Sequence, residues 1–318
     1  VGDGLHHPDP VKRYLYESDC KEGGLGMNWN KMKAKKDGAI RAYDMHSPKV
    51  RAMYICILLI CLLVVVVCIF PAVWVLLAGF KDIKEFTRNA TIFPTSFDLT
   101  KLTKTWELLK FEKYYKNSLI LVAGATVCAV FFNGLLGYGF AVLKPKGYKI
   151  AYALVMWSLL IPATTSIVSL FRNINLIGLK GSFLPLWLMY GANAFWVVLF
   201  QEFFEGIPGE LMDAAKIDGC GPLKIFTSIV MPLSRPIIMV VGIFAVTAAW
   251  SEFLLPYLVL SGSGKETVMV KLFTFKDTPT DAVSVLRAAL FSIIPPTILF
   301  IIFQRQITDS AASGAVKG

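Results

Sequence analysis

The residue best placed to do chemistry is Glu252, the one acid well inside an apolar run, here Pro236–Leu260. An ionisable group in such a run is costly to bury and marks a functional candidate. Three readings stand side by side. Glu252 lines a pathway, with neighbouring Trp250 offering a stacking surface. It is a carboxylate near the end of the run that is hydrated or bonds nearby backbone. Or it bonds another helix or subunit. Asn133, Tyr138, Asn193 and Thr164 are weaker pathway candidates, because each serves equally well as interhelical hydrogen-bonding glue. The three histidines, His6, His7 and His46, lie near the N-terminus, so the body of the chain has no histidine for a catalytic or metal centre. The six cysteines form no CxxC pair and read as small hydrophobes. "SGSGKET" (Ser261–Thr267) imitates a phosphate-binding loop, but Glu266 follows Lys265 where Ser or Thr is needed, and Val259 stands where the first Gly belongs. It reads as an external turn. No catalytic residue, metal ligand or nucleotide site is assigned.

These residues sit in a chain built for lipid. Its 318 residues are 55% hydrophobic and only 17% charged, and the apolar residues cluster in long uncharged runs. The net charge of +10 is carried by loops and tails beside those runs, which favours cationic flanks of membrane spans over nucleic-acid binding. Six runs can be marked: about 53–80, 117–143, 150–170, 184–204, 236–260 and 288–303. A helix needs about 20 residues to cross the hydrocarbon core. Five runs meet that length, and the short sixth leaves Arg287 and Arg305 to snorkel at its ends. Prolines inside several runs predict kinks, tolerated where neighbouring helices cover the freed carbonyls. The fold class is therefore an all-α membrane protein with six transmembrane helices.

Basic flanks orient it. Seven Lys and Arg between Lys31 and Arg51, and Lys144, Lys146 and Lys149 after the second run, belong on the cytoplasmic side. Residues 1–50 become a polar cytoplasmic tail, 51–310 the transmembrane domain, and 311–318 a cytoplasmic C-terminal tail. The loop Lys81–Lys116, placed outside with one short helix around Leu102–Phe111, holds eight Lys and Arg against five acids and runs against the rule.

The segment 205–235, between the fourth and fifth runs, is cytoplasmic in this scheme. Pro208 suits the first turn of a helix and Glu210 its positive end. Leu211, Ala214, Ala215 and Ile217 form an apolar stripe with small residues at its middle, and Gly219 suits the stop. Pro222 opens a second helix, and Pro232 and Pro236 punctuate its entry into the fifth run. An interfacial membrane helix would carry Lys or Arg on its polar face. Here the polar positions include Glu210, Asp213 and Asp218, which an anionic leaflet repels. A helix–turn–helix docking knob for a cytosolic protein fits better.

This loop resembles the coupling motif of the integral membrane subunits of binding-protein-dependent ABC importers: E-A-A, three residues, G, nine residues, I-x-L-P. Asp213, Ala214 and Ala215 fill the first three places, Gly219 follows after three residues, and Ile229, Val230, Met231 and Pro232 follow after nine more. Asp213 and Met231 depart from the pattern, both mildly. "WSEFLLPYLVL" (Trp250–Leu260) is similar to a segment of carbohydrate-uptake permeases, and "SGAVKG" to the tail of the maltose-type subunit that pairs with a longer partner. The likeness covers roughly Met53 to Gly318.

The resemblance implies a division of labour. A second permease subunit, a different chain, completes the pathway. Two ATPase subunits carry ATP and Mg, and this chain binds no cofactor. An extracytoplasmic binding protein delivers a carbohydrate, an oligosaccharide or glycoside. Glu210, Asp213, Ala214, Ala215, Asp218, Gly219, Ile229 and Pro232 would couple to the ATPase, with Gly314, Val316, Lys317 and Gly318 as further contacts. The location is a bacterial or archaeal inner membrane, with both termini in the cytoplasm. A permease for a polyol or phosphodiester is the main alternative, because the coupling loop does not decide substrate. An ion-coupled secondary transporter would show several intramembrane charges and an inverted repeat. A membrane-embedded enzyme would need a catalytic constellation.

Overall fold

The run Met53–Phe80 has no charge and, in lipid, must satisfy its backbone internally. It folds as one helix, α1 (Pro48–Gly79), with Pro71 inside it. The computed structural model describes residues 48–88, 91–275 and 281–315, with the side chains of all but Ala163 and 305–315. Among these the chain is helical, with no strand. The first fifty residues therefore lie almost wholly outside the described part. The chain divides into two units, Val1–Cys68 and Ile69–Gly318. In the first, the described residues are the leading part of α1, exposed at every position but Val50, which is half-buried.

In the second unit, α2 (Ile83–Arg88) and α3 (Thr100–Leu108) follow, α3 being the expected short helix. Then α4 runs from Phe111 to Tyr138 and continues through a π-helical turn, Gly139–Leu143. Left-handed residues bracket it: Lys110 at φ 52° before, Lys144 at φ 45° after. The third run, about 150–170, is expected as one span kinked at its proline. Instead α5 (Tyr148–Ser158) stops before Pro162, and α6 (Ile167–Leu176) starts after a 3-10 turn. Pro162 has no N–H to continue the ladder, and its ψ of 126° turns the chain out of the helix.

The fourth run is likewise two helices, α7 (Leu184–Gly191) and α8 (Ala194–Glu205), bent by 44° at Ala192–Asn193. The segment after it holds α9 (Gly209–Ile217), α10 (Pro222–Ile225), a π-helical turn at Phe226–Val230, and α11 (Met231–Leu233). An 84° bend leads into α12 (Arg235–Ser251). The fifth run then breaks at Glu252–Phe253 before α13 (Leu254–Leu260). α14 (Val268–Thr274) and the long α15 (Ala282–Ala315), with Pro295 and Pro296 inside it, complete the chain. Residues 311–315, expected as tail, are the end of that helix. Among the described residues, three helices are long and apolar enough to cross a membrane, or up to five if each bent pair counts as one span.

α4 is the central helix, packed against α7, α8 and α12. Small residues let these backbones approach, as membrane interfaces require. A Cβ on Gly124 would sit 2.2 Å from the Trp187 indole, and one on Gly137 would sit 2.7 Å from Phe200 Cβ. Ala125, Ala129, Ala245 and Ala249 are buried in the same core.

Arg287 does not snorkel. It is buried, and its guanidinium caps the end of α1: Nε donates to Gly79 O at 2.8 Å, Nη2 to Lys81 O at 2.9 Å, and Nη1 to Thr105 Oγ1 at 3.1 Å. The last carbonyls of a helix carry partial negative charge and lack partners, so a cation there is favoured. Lys101 Nζ donates to Phe80 O at 3.1 Å and to Asp82 Oδ2 at 3.0 Å, and Lys81 Nζ is held by Thr91. Part of the unexpected positive charge in that loop is thus bound to the chain itself.

Candidate functional site

The segment Gly209–Leu233 is built from local signals. Pro208, at ψ 125°, is still extended and hands the chain to α9, whose first turn carries Glu210 and whose last carries Lys216. The helix ends at Ile217, and Asp218 caps it. Gly219 turns left-handed at φ 76°, Gly219 N donates to Lys216 O at 3.0 Å, and Cys220 N donates to Ala215 O at 2.9 Å. This paired closure satisfies the last carbonyls and needs a residue without a Cβ penalty.

The apolar stripe is not a single face. Met212 and Ala215 are buried, joining Ile225, Phe226 and Val230 in the core. Ala214 faces outward with Leu211, 44% exposed, and Ile217, 87% exposed. Spacing of three residues puts Met212 and Ala215 on one side and Leu211, Ala214 and Ile217 on the other. Leu223 on α10 is also exposed. Glu210, Asp213 and Asp218 are exposed around it. Asp213 pairs with Lys216 at 2.9 Å, fully in solvent reach, so it orders a side chain more than it stabilises the helix.

The knob is anchored from below. Tyr138, at the end of α4, is buried; its hydroxyl donates to Pro222 O at 3.2 Å, and its ring lies 5.3 Å from that of Phe226. Ile229 is half-buried and Pro232 exposed. Ser234, wholly buried, marks the 84° bend and donates its Oγ to Val230 O at 2.6 Å. Two steps on, Pro236 has no N–H for the preceding turn, so α11 cannot run straight into α12.

The other singled-out residues are dispersed. Asn133 is buried: Nδ2 donates to Ala129 O at 2.7 Å and Tyr190 O at 2.9 Å, while Oδ1 accepts from Asn193 N at 2.9 Å. Asn193 caps α8 by accepting from Trp196 N at 3.2 Å. Trp250 is buried, and its Nε1 donates to Ser292 O at 3.0 Å. Glu252 ends α12 and caps α13, its Oε1 accepting from Leu254 N at 3.0 Å and Leu255 N at 3.4 Å. That is the backbone-bonding reading of its carboxylate. Thr164 is exposed. Gly314 lies in the last turn of α15, and Val316, Lys317 and Gly318 lie outside the described residues.

The loop Ser261–Thr267 is closed to phosphate by its own acid. Gly262 and Gly264 are left-handed, and their N–H groups point at Glu266 Oε1, at 2.9 and 3.3 Å. Asn117 and Ser118 hold this turn to α4: Asn117 Nδ2 donates to Glu266 O at 3.0 Å, and Val268 N donates to Ser118 Oγ at 2.9 Å. These polar residues open the second apolar run, and only their position at its polar end could have flagged them.

Residues 133–310 match the family "Binding-protein-dependent transport system inner membrane component". The chain belongs to this family. It is a multi-pass membrane protein of the permease type. It is 29% identical over 279 residues to the "Arabinooligosaccharides transport system permease protein AraQ" of Bacillus subtilis, covering 86% of this chain and 99% of the relative. It is 26% identical to the "Trehalose/maltose transport system permease protein MalG" of Thermococcus litoralis, over 81% of this chain and 94% of the relative. Its fold is that of a chain in the crystal structure of a bacterial ABC transporter involved in import of the acidic polysaccharide alginate. The TM-score is 0.74 at 18% identity, over 81% of this chain and 98% of that one, which speaks for the fold alone.

Proposed function

We propose that this chain is one transmembrane subunit of an ATP-driven importer, forming half of the pathway for an oligosaccharide or glycoside that an extracytoplasmic binding protein delivers. The observation that carries the reading is the knob. Its motif spacing is that of the importers' coupling loop, and its outward side presents Leu211, Ala214 and Ile217 within a rim of acids. An ATPase cleft would seat that side. Glu210, Asp213, Ala214, Asp218 and Gly219 would make or shape the contact, with Ala215, Ile229 and Pro232 setting the backbone behind it. ATP and Mg would reside on two such ATPase subunits, and a second, different permease chain would complete the pathway.

The 84° bend at Ser234 joins the knob to α12 without a flexible link, so a cleft movement would become a helix rotation. In the proposed topology the N-terminal tail, the turn 144–149, the knob and the C-terminus are cytoplasmic. Six crossings follow if α5–α6, α7–α8 and α12–α13 each count as one interrupted span. Glu252 and Asn193, at two of those interruptions, are the pathway candidates with half-exposed side chains. The sugar reading is supported by the named substrates of the relatives and by the Trp250–Leu260 segment.

The test is co-purification. Ile217→Arg combined with Ala214→Arg changes only exposed positions. The variant should insert normally and lose its ATPase partner and uptake. Unchanged assembly and uptake would remove the coupling assignment. Mass spectrometry of the ligand carried by the co-purified binding protein decides the substrate: a glycoside supports the sugar reading, and a polyol or phosphodiester replaces it.

A further inference from the structure

Pro295 and Pro296 lie mid-way along α15. Neither has an N–H, so the carbonyls four residues earlier, Phe291 O and Ser292 O, lose their helical donors. In a membrane such orphans must find partners elsewhere. Both do, from different helices. Tyr115 on α4 donates its hydroxyl to Phe291 O, and Trp250 on α12 donates Nε1 to Ser292 O at 3.0 Å. The two donors touch one another, ring centroids 5.5 Å apart and edge-on. Trp106 and Phe111 close around Phe291 at 5.2 and 5.3 Å, sealing the gap from the side. Each proline therefore has its own replacement donor, one per missing bond.

We propose that Tyr115 and Trp250 are positioning residues that stand in for the backbone donors missing at Pro295 and Pro296, forming a latch through which α12 and α4 hold the weakest point of α15. A helix short of two consecutive bonds bends most readily there, and the latch sets whether it does. Trp250 lies on α12, the helix that continues from the knob through the bend at Ser234. A rotation of α12 draws directly on the Trp250–Ser292 bond. The latch itself follows from the geometry alone; its use as a pivot rests on the importer reading.

The pairing makes a crossed prediction. Tyr115→Phe and Trp250→Phe, in the full chain purified in detergent, should each lower the unfolding midpoint by about 2–4 °C. Pro295→Ala returns an N–H to Phe291 O, so it should rescue Tyr115→Phe and leave Trp250→Phe unrescued. Pro296→Ala should do the reverse. Equal rescue of both, or rescue of neither, overturns the latch. For the pivot, the Pro295→Ala/Pro296→Ala variant is assembled with its partners in vesicles. A fall of roughly tenfold in transport per ATP hydrolysed, with assembly intact, is expected; an unchanged ratio overturns the pivot. If the wild-type chain gathers no ATPase partner, the importer reading fails, and the crossed rescue in detergent still decides the latch.

Discussion

Two breaks in the helical hydrogen bonding of the apolar body are closed in opposite ways. At Glu252–Phe253 the chain closes its own gap: the Glu252 carboxylate accepts the first N–H groups of α13. At Pro295–Pro296 the missing groups are backbone donors, the orphans are carbonyls, and the replacements are supplied from elsewhere in the fold. Tyr115 and Trp250 come from other helices. The gap at Asn193 lies between these extremes, with Asn193 capping its own helix while Asn133 takes the Asn193 N–H. A self-closed gap can form as soon as its helix does. A gap closed from outside exists only in the packed molecule, and it couples the helices that close it.

Removing these caps one at a time separates the two kinds of closure. The largest effect is expected at Arg287, which closes the end of α1 from α15. Arg287→Met should leave the Gly79 and Lys81 carbonyls unpaired and cost about 3 kcal/mol, read from thermal unfolding in detergent. Arg287→Lys should recover only part, since an ammonium cannot span the same fork. Asn133→Leu comes next, at about 1–2 kcal/mol, because the Tyr190 carbonyl and the Asn193 N–H lose this partner together. Glu252→Ala removes a self-supplied cap and should cost about 1 kcal/mol. Glu252→Gln keeps the acceptor and should be nearly silent in the same assay. A Gln variant as damaging as Ala would show that the charge, rather than the cap, matters.

The smallest effect belongs to a bond on the solvent side. Glu85 accepts from Thr95 N and Thr95 Oγ1, both at 2.7 Å. The Thr95 hydroxyl is the leading cause that holds its carboxyl below the ordinary 4.5, with Thr95 N–H adding to it. A depressed carboxylate contributes fully above its ordinary value and loses that contribution as pH falls through its folded one. Acidification through that window should therefore loosen the segment between Glu85 and Thr95, seen as faster protease cleavage, and Thr95→Val should flatten the response.

Local signals were the most legible part of the sequence. Gly219 as a helix stop, Pro222 as a helix start and α3 between the first two runs were all legible, because caps and turns are decided within a few residues. Whole spans were less so. Uncharged composition marks a run as apolar, yet Pro162 and Glu252 stop the helix inside one. The stripe Leu211–Ala214–Ala215–Ile217 was legible as apolar, but which side faces the core depends on what packs beneath α9. Met212 wins that place through Ile225, Phe226 and Val230.

By itself the sequence determined the apolar runs, the breaks available within them, and the helix–turn–helix with its exposed acids, since each follows from backbone chemistry over a few neighbouring positions. The tertiary structure alone decided which orphan groups meet which donors. Trp250 reaches Ser292 across 42 positions, Tyr115 reaches Phe291 across 176, and Arg287 reaches Gly79 across 208. No local preference encodes such pairs. They are set by the close approach of helices, and in a lipid solvent the cost of an unbonded carbonyl is what makes each of them necessary.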